Sequence, residues 1–190
     1  MLYWEHKKQR KDVAMSATNQ GNVKFSYKKY YSFRNRIINN FRGRLRADMR
    51  IDSVARALFY GDIQPALVTS LSPLIIAAYS DEIDSVLMLR FPDEFVDMFN
   101  LYLGMRLTTS NIYFRGMAFP EDILVGKNFC RNYTDFLPIV QLFLGKNDEK
   151  IKANAEMFDE KVWARVAEQA AKYAAKRPNL YRDGLYYFKK

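Results

Sequence analysis

From Lys24 to Arg36 the chain reads Lys-Phe-Ser-Tyr-Lys-Lys-Tyr-Tyr-Ser-Phe-Arg-Asn-Arg, and Arg42, Arg44 and Arg46 follow within ten residues. Cations interleaved with aromatic rings can do one kind of chemistry well. Ammonium and guanidinium groups neutralise phosphates and release their counterions, aromatic faces stack on unpaired bases, and arginine does both. The residues expected to form such a polyanion-binding face are Lys28, Lys29, Arg34, Arg36, Arg42, Arg44 and Arg46. Two other readings stay open. Lys and Arg are the ordinary residues of a solvated helix face, and some of these could pair with the acids of residues 51–190.

Other chemistries have less to work with. His6 is the only histidine, so a multi-histidine metal site, a Ser-His-Asp triad and a Cys-His dyad are all excluded from residues 23–190. Neither a GxGxxG nor a GxxxxGK[ST] loop occurs. Cys130 lies between Phe129 and Arg131, and a neighbouring cation can lower a thiol pKa. Without a histidine partner it reads as an inert, half-buried thiol. Asp81, Glu82 and Asp84 form the densest acid cluster; paired carboxylates serve acid–base work or bind Mg²⁺, but a solvated turn explains them more simply. No cofactor and no metal site is expected.

The elements that must position these residues follow from periodicity. Residues 1–22 are polar and aperiodic, and are expected to be a flexible basic arm; residues 23–190 form a single α+β domain. Val23, Phe25 and Tyr27 alternate with Lys24, Ser26 and Lys28, as in an edge strand. Phe33, Ile37, Ile38, Phe41 and Leu45 then fall at helical spacing and predict one helix, with its apolar stripe inward and arginines on the rest of the wheel. Asp52-Ser53 predicts the N-cap of a helix stopped at Gly61.

Three apolar runs, 66–71, 74–79 and 85–91, are separated by Ser72-Pro73 and by the acidic turn, and predict a β-meander whose middle strand, apolar on both faces, is central and covered by helices on at least one side. A short helix follows Pro92-Asp93, and 105–114 reads as a fourth strand. Thr134-Asp135 predicts the cap of a helix through Phe136, Ile139, Val140 and Phe143 to Gly145. Helices follow from Asn147-Asp148 to Met157 and from Asp159 to Lys176, and the aromatic tail 180–190 is expected to dock on the body. The fold expected is a small antiparallel meander of about four strands, flanked by N-terminal and C-terminal helices.

Charge distribution decides between function classes. The first fifty residues hold 13 Lys and Arg against 3 acids, a balance of 13 − 3 = +10. The other 140 carry 17 − 18 = −1, so the formal +9 belongs to one end. Such asymmetry points to a polyanionic partner. We expect a small non-enzymatic module binding nucleic acid without strong sequence specificity, or alternatively an accessory module docking an acidic protein surface; a carboxylate enzyme ranks last. If six phosphates were contacted, affinity would fall roughly 10³-fold between 50 and 200 mM salt. The longest apolar run is far short of the ~20 residues of a spanning helix. No secretory h-region is evident, and the lone cysteine fits a reducing compartment, so a cytoplasmic location is expected.

Overall fold

The structure, a computed structural model, describes residues 17 and 19–188. Its strands are β1 (Asp62–Leu71), β2 (Leu74–Ser80), β3 (Ser85–Phe91), β4 (Arg106–Phe114), β5 (Asp135–Val140) and β6 (Arg182–Asp183). Its helices are α1 (Tyr27–Ile37), α2 (Phe41–Asp48), α3 (Ile51–Tyr60), α4 (Phe95–Met98), α5 (Gln141–Leu144), α6 (Asp148–Glu156) and α7 (Glu160–Lys176). The chain is α+β, as expected. The sheet, however, has six strands in the order β5-β4-β1-β2-β3-β6, and it is mixed, because β6 pairs parallel to β3 while the other pairs are antiparallel.

The meander forms where the apolar runs predict it. Every residue of β2 is buried, and alternation sorts its side chains onto two faces. Leu74, Ile76 and Ala78 join the main core, beside Leu58, Phe95, Phe136 and Phe143. Ile75, Ala77 and Tyr79 pack beneath α7, against Val166, Ala170 and Tyr173. Helix α7 therefore covers one face of the sheet and the remaining helices and tail fill out the other. Asp159 caps α7 by accepting from the Val162 amide at 2.9 Å.

Besides the expected Asp52-Ser53 cap, which lies inside the first turn of α3 behind Arg50, three local expectations are corrected. The first concerns Val23–Tyr27, which forms no strand: Phe25 makes an isolated bridge to Gly145, and Ser26 caps α1 by accepting from the Lys29 amide at 3.3 Å. The second concerns the single helix through 33–45, which is two. Asn40 breaks it, accepting from the Gly43 amide at 2.6 Å as the N-cap of α2. The third concerns 135–140, which is strand β5. Its apolar residues fit a helix wheel equally well, but β4 has an open edge to pair, and Pro138 is tolerated on an edge strand because it lacks only an unneeded donor.

The tail docks as expected, with Leu185, Tyr187 and Phe188 buried in the main core. Arg182 fixes it, donating to both oxygens of Asp122 at 2.7 Å and to Asp135 Oδ1 at 3.0 Å. Of the expected arm, residues 1–16 and 18 lie outside the described residues. Gln20 bridges to Asp62, and the Gly21 and Asn22 amides donate to the carbonyls of Gly61 and Phe59 at 2.9 and 2.7 Å. The Gly21 carbonyl accepts from Asn154 Nδ2 at 3.0 Å. Asn154 belongs to a buried polar network with Gln141, Thr108 and Ser110 that joins α5 and α6 to β4.

Candidate polyanion-binding surface

Residues 27–50 hold eight cations and one acid, Asp48. Packing divides the seven candidate cations into two sets. In the first, Lys29, Arg34 and Arg44 are half-buried and partnered inside the fold. Lys29 Nζ donates to the Leu142 and Gly145 carbonyls at 3.0 and 2.7 Å, satisfying acceptors left open at the end of α5. Arg34 pairs with Asp48 and lies 4.7 Å from the Tyr31 ring centroid, joining α1 to α2. Arg44 Nε donates at 2.7 Å to the carbonyl of Ile38, the C-cap of α1.

The second set comprises Lys28, Arg36, Arg42 and Arg46. All four are exposed, and no salt bridge among the described residues involves them.

The same surface carries apolar groups, two of which, Phe41 and Leu45, helical periodicity had placed in the core. Phe33 and Ile38 do point inward, but Phe41 and Met49 are each 80% exposed and Leu45 is 54% exposed. Spaced four residues apart, they form a row along α2 beside Arg42 and Arg46. The break at Asn40 is the cause: it resets the helical phase, so the outward side of α2 is not a continuation of the outward side of α1. An Asn-Asn pair followed three residues later by Gly43 is the sequence signal of that break. Tyr27 and Tyr31 add exposed rings on α1, stacked at 6.4 Å between centroids.

The acidic turn divides as well. Asp84 is buried, with φ +50°, and it accepts from Tyr79 Oη at 2.9 Å, the Asn128 amide at 3.2 Å, and Arg165 Nε and Nη2 at 3.1 and 2.7 Å. Burial alone raises its carboxyl pKa, but the Arg165, Asn128 and Tyr79 hydrogen bonds outweigh that and hold it below the ordinary value. Gly126 lies against this carboxylate so closely that a Cβ there would collide with it. Asp84 is thus a structural anchor for α7, and the solvated-turn reading fails for it.

Asp81 instead faces Asp62, which lies nineteen residues earlier and outside the acid cluster visible in the sequence. Gln64 Nε2 bridges the two carboxylates at 2.7 Å each, and Tyr113 Oη donates to Asp62 at 3.0 Å. Burial, reinforced by Asp81, raises Asp62 to about 6. Among the described residues no group of three or more His, Cys, Asp or Glu side chains is placed to hold a metal ion.

Cys130 is exposed rather than half-buried. Its thiol pKa is raised by desolvation and by the Glu82 carboxylate. Arg131 is directed elsewhere, 5.7 Å from the Phe129 ring centroid, and does not activate the sulfur. Among the described residues no helix is long and apolar enough to cross a membrane. Comparison with family models, with curated proteins and with solved structures finds no match for this chain.

Proposed function

We propose that the outer face of α1 and α2 binds a polyanion, and that this polyanion is nucleic acid held without strong sequence specificity. The observation that carries the reading is the set Lys28, Arg36, Arg42 and Arg46, four exposed cations with no ion pair among the described residues. Exposed Tyr27, Tyr31 and Phe41 supply rings beside them for unpaired bases. Four phosphate contacts on a single strand predict a fall in affinity of about 50-fold between 50 and 200 mM salt. The test is anisotropy of a labelled single-stranded oligonucleotide across that range, with the wild type and with Arg36→Glu/Arg42→Glu/Arg46→Glu. Absence of binding at low salt, or equal binding by the triple variant, rejects the reading.

A second reading rests on the row Phe41, Leu45 and Met49. Leu and Met contribute little to stacking on bases, whereas an apolar row flanked by arginines matches the apolar centre and polar rim of a protein interface, so the row favours an acidic protein surface with an apolar centre. Leu45→Ser/Met49→Ser separates the two. Nucleic-acid binding survives that change nearly intact, whereas docking on a protein partner is lost.

A further inference from the structure

On the opposite side of the molecule, α7 leaves part of its sheet face uncovered. A cleft of about 540 Å³ lies between α7, strands β1–β3 and the loops carrying Gly104 and Asn179. That volume falls within the roughly 300–1,000 Å³ typical of small-ligand sites. Its sheet wall includes Leu67, Ile75 and Met88, and its helix wall is built of alanines, among them Ala170 and Ala174. The alanines explain the opening. Val166 and Tyr173 pack on the sheet together with Ala170, whereas Ala167, Ala171 and Ala174 carry only a Cβ and leave the space beside them unfilled.

Of the seventeen residues lining the cleft, Arg177 alone is charged. It is the C-cap of α7, and its backbone amide donates to the Tyr173 carbonyl at 2.8 Å. Its Nε is buried with no hydrogen-bond partner, and no ion pair among the described residues involves it. A buried donor on a cation is costly to leave unsatisfied, and every other arginine discussed above is supplied with a carboxylate or carbonyl, or else lies in solvent. An apolar cleft whose lining holds one guanidinium with an unsatisfied Nε is complementary to a molecule with an apolar body and one anionic head.

We infer that this cleft is a binding site for a small amphipathic carboxylate, its hydrocarbon chain between the α7 alanines and the sheet and its carboxylate on Arg177. The site is independent of the basic face of α1 and α2. The test is calorimetric titration of the full chain with dodecanoate and with dodecan-1-ol. Dodecanoate should bind one to one and at least about ten-fold more tightly than the alcohol, the difference being a charge-assisted hydrogen bond. Arg177→Gln should bring dodecanoate down to the affinity of the alcohol while leaving the alcohol unchanged. Ala174→Trp, at an exposed position on the rim, should abolish binding of both without altering the melting temperature. Arg42→Ser/Arg46→Ser should change neither. Equal affinity for acid and alcohol, undiminished binding to Ala174→Trp, loss of binding in Arg42→Ser/Arg46→Ser, or no binding at all would each overturn the inference.

Discussion

Helices α2 and α7 are both amphipathic and both carry arginines, yet the fold uses them in opposite ways. Helix α7 turns Trp163, Val166, Ala170 and Tyr173 inward, and its Arg165 reaches a buried carboxylate. Helix α2 buries only Ala47, and it presents Phe41, Leu45, Arg42 and Arg46 to solvent. What separates them is the supply of partners. A cation beside a buried acid or an open carbonyl becomes part of the scaffold, and a cation without one becomes surface. Charge density is therefore a poor guide to a binding face until the internal acceptors have been located.

The contrast is tested most severely at Arg165. Replacing it with Met leaves Asp84 buried and charged, and should cost about 3–5 kcal/mol in urea unfolding. The sign of the pH dependence follows from the lowered Asp84 pKa. Its contribution is fully present above the unfolded carboxyl value and is lost as pH falls through the lower folded value. Asp84→Asn should therefore remove part of the acid limb of the stability curve.

Asp62 should behave in the opposite sense. With a folded pKa of about 6 against 3.8, its contribution is fully present below 3.8 and is lost as pH rises through 6. Asp62→Asn should consequently stabilise the protein at pH 8, by up to about 3 kcal/mol, and leave it unaltered or weaker at pH 3.5. A variant no more stable than wild type at pH 8 would show that Gln64 and Tyr113 fully compensate the buried charge.

Helix α2 is held against α1 by Tyr30, whose hydroxyl donates to the Ala47 carbonyl at 2.7 Å. Tyr30→Phe should cost about 1 kcal/mol or slightly more, because a buried acceptor is left open. The smallest effect is expected on the exposed side of α2. Arg42→Ser and Arg46→Ser should each change stability by no more than about 0.5 kcal/mol. A larger loss from either would mean that these arginines belong to the scaffold, as those of α7 do.

Much of the architecture is legible in local pattern. The runs that become β1, β2 and β3 are separated by strong turn signals, and the stripe of α7 is set out by Val162, Val166, Ala170 and Tyr173. Other elements were not legible, for identifiable reasons. The residues of β5 satisfy a helix wheel and a strand alternately, and only the open edge of β4 decides between them. Strand β6 is two residues long and carries no periodicity at all. For the candidate surface, the basic segment itself was visible, but the division of its cations was not. Lys29 is occupied by carbonyls 113 and 116 residues further on, and no pattern within a helix can report such a partner.

By itself, then, the sequence determined the α+β character, the central meander and the gathering of positive charge at one end, because burial period and charge are properties of neighbouring residues. The tertiary structure alone decided which cations find partners inside the fold, that Phe41, Leu45 and Met49 face solvent, that Asp62 meets Asp81, and that Arg177 lines an apolar cleft. Each of these depends on groups brought together from distant parts of the chain, and hydrogen-bond satisfaction in the packed state determines which pairs form.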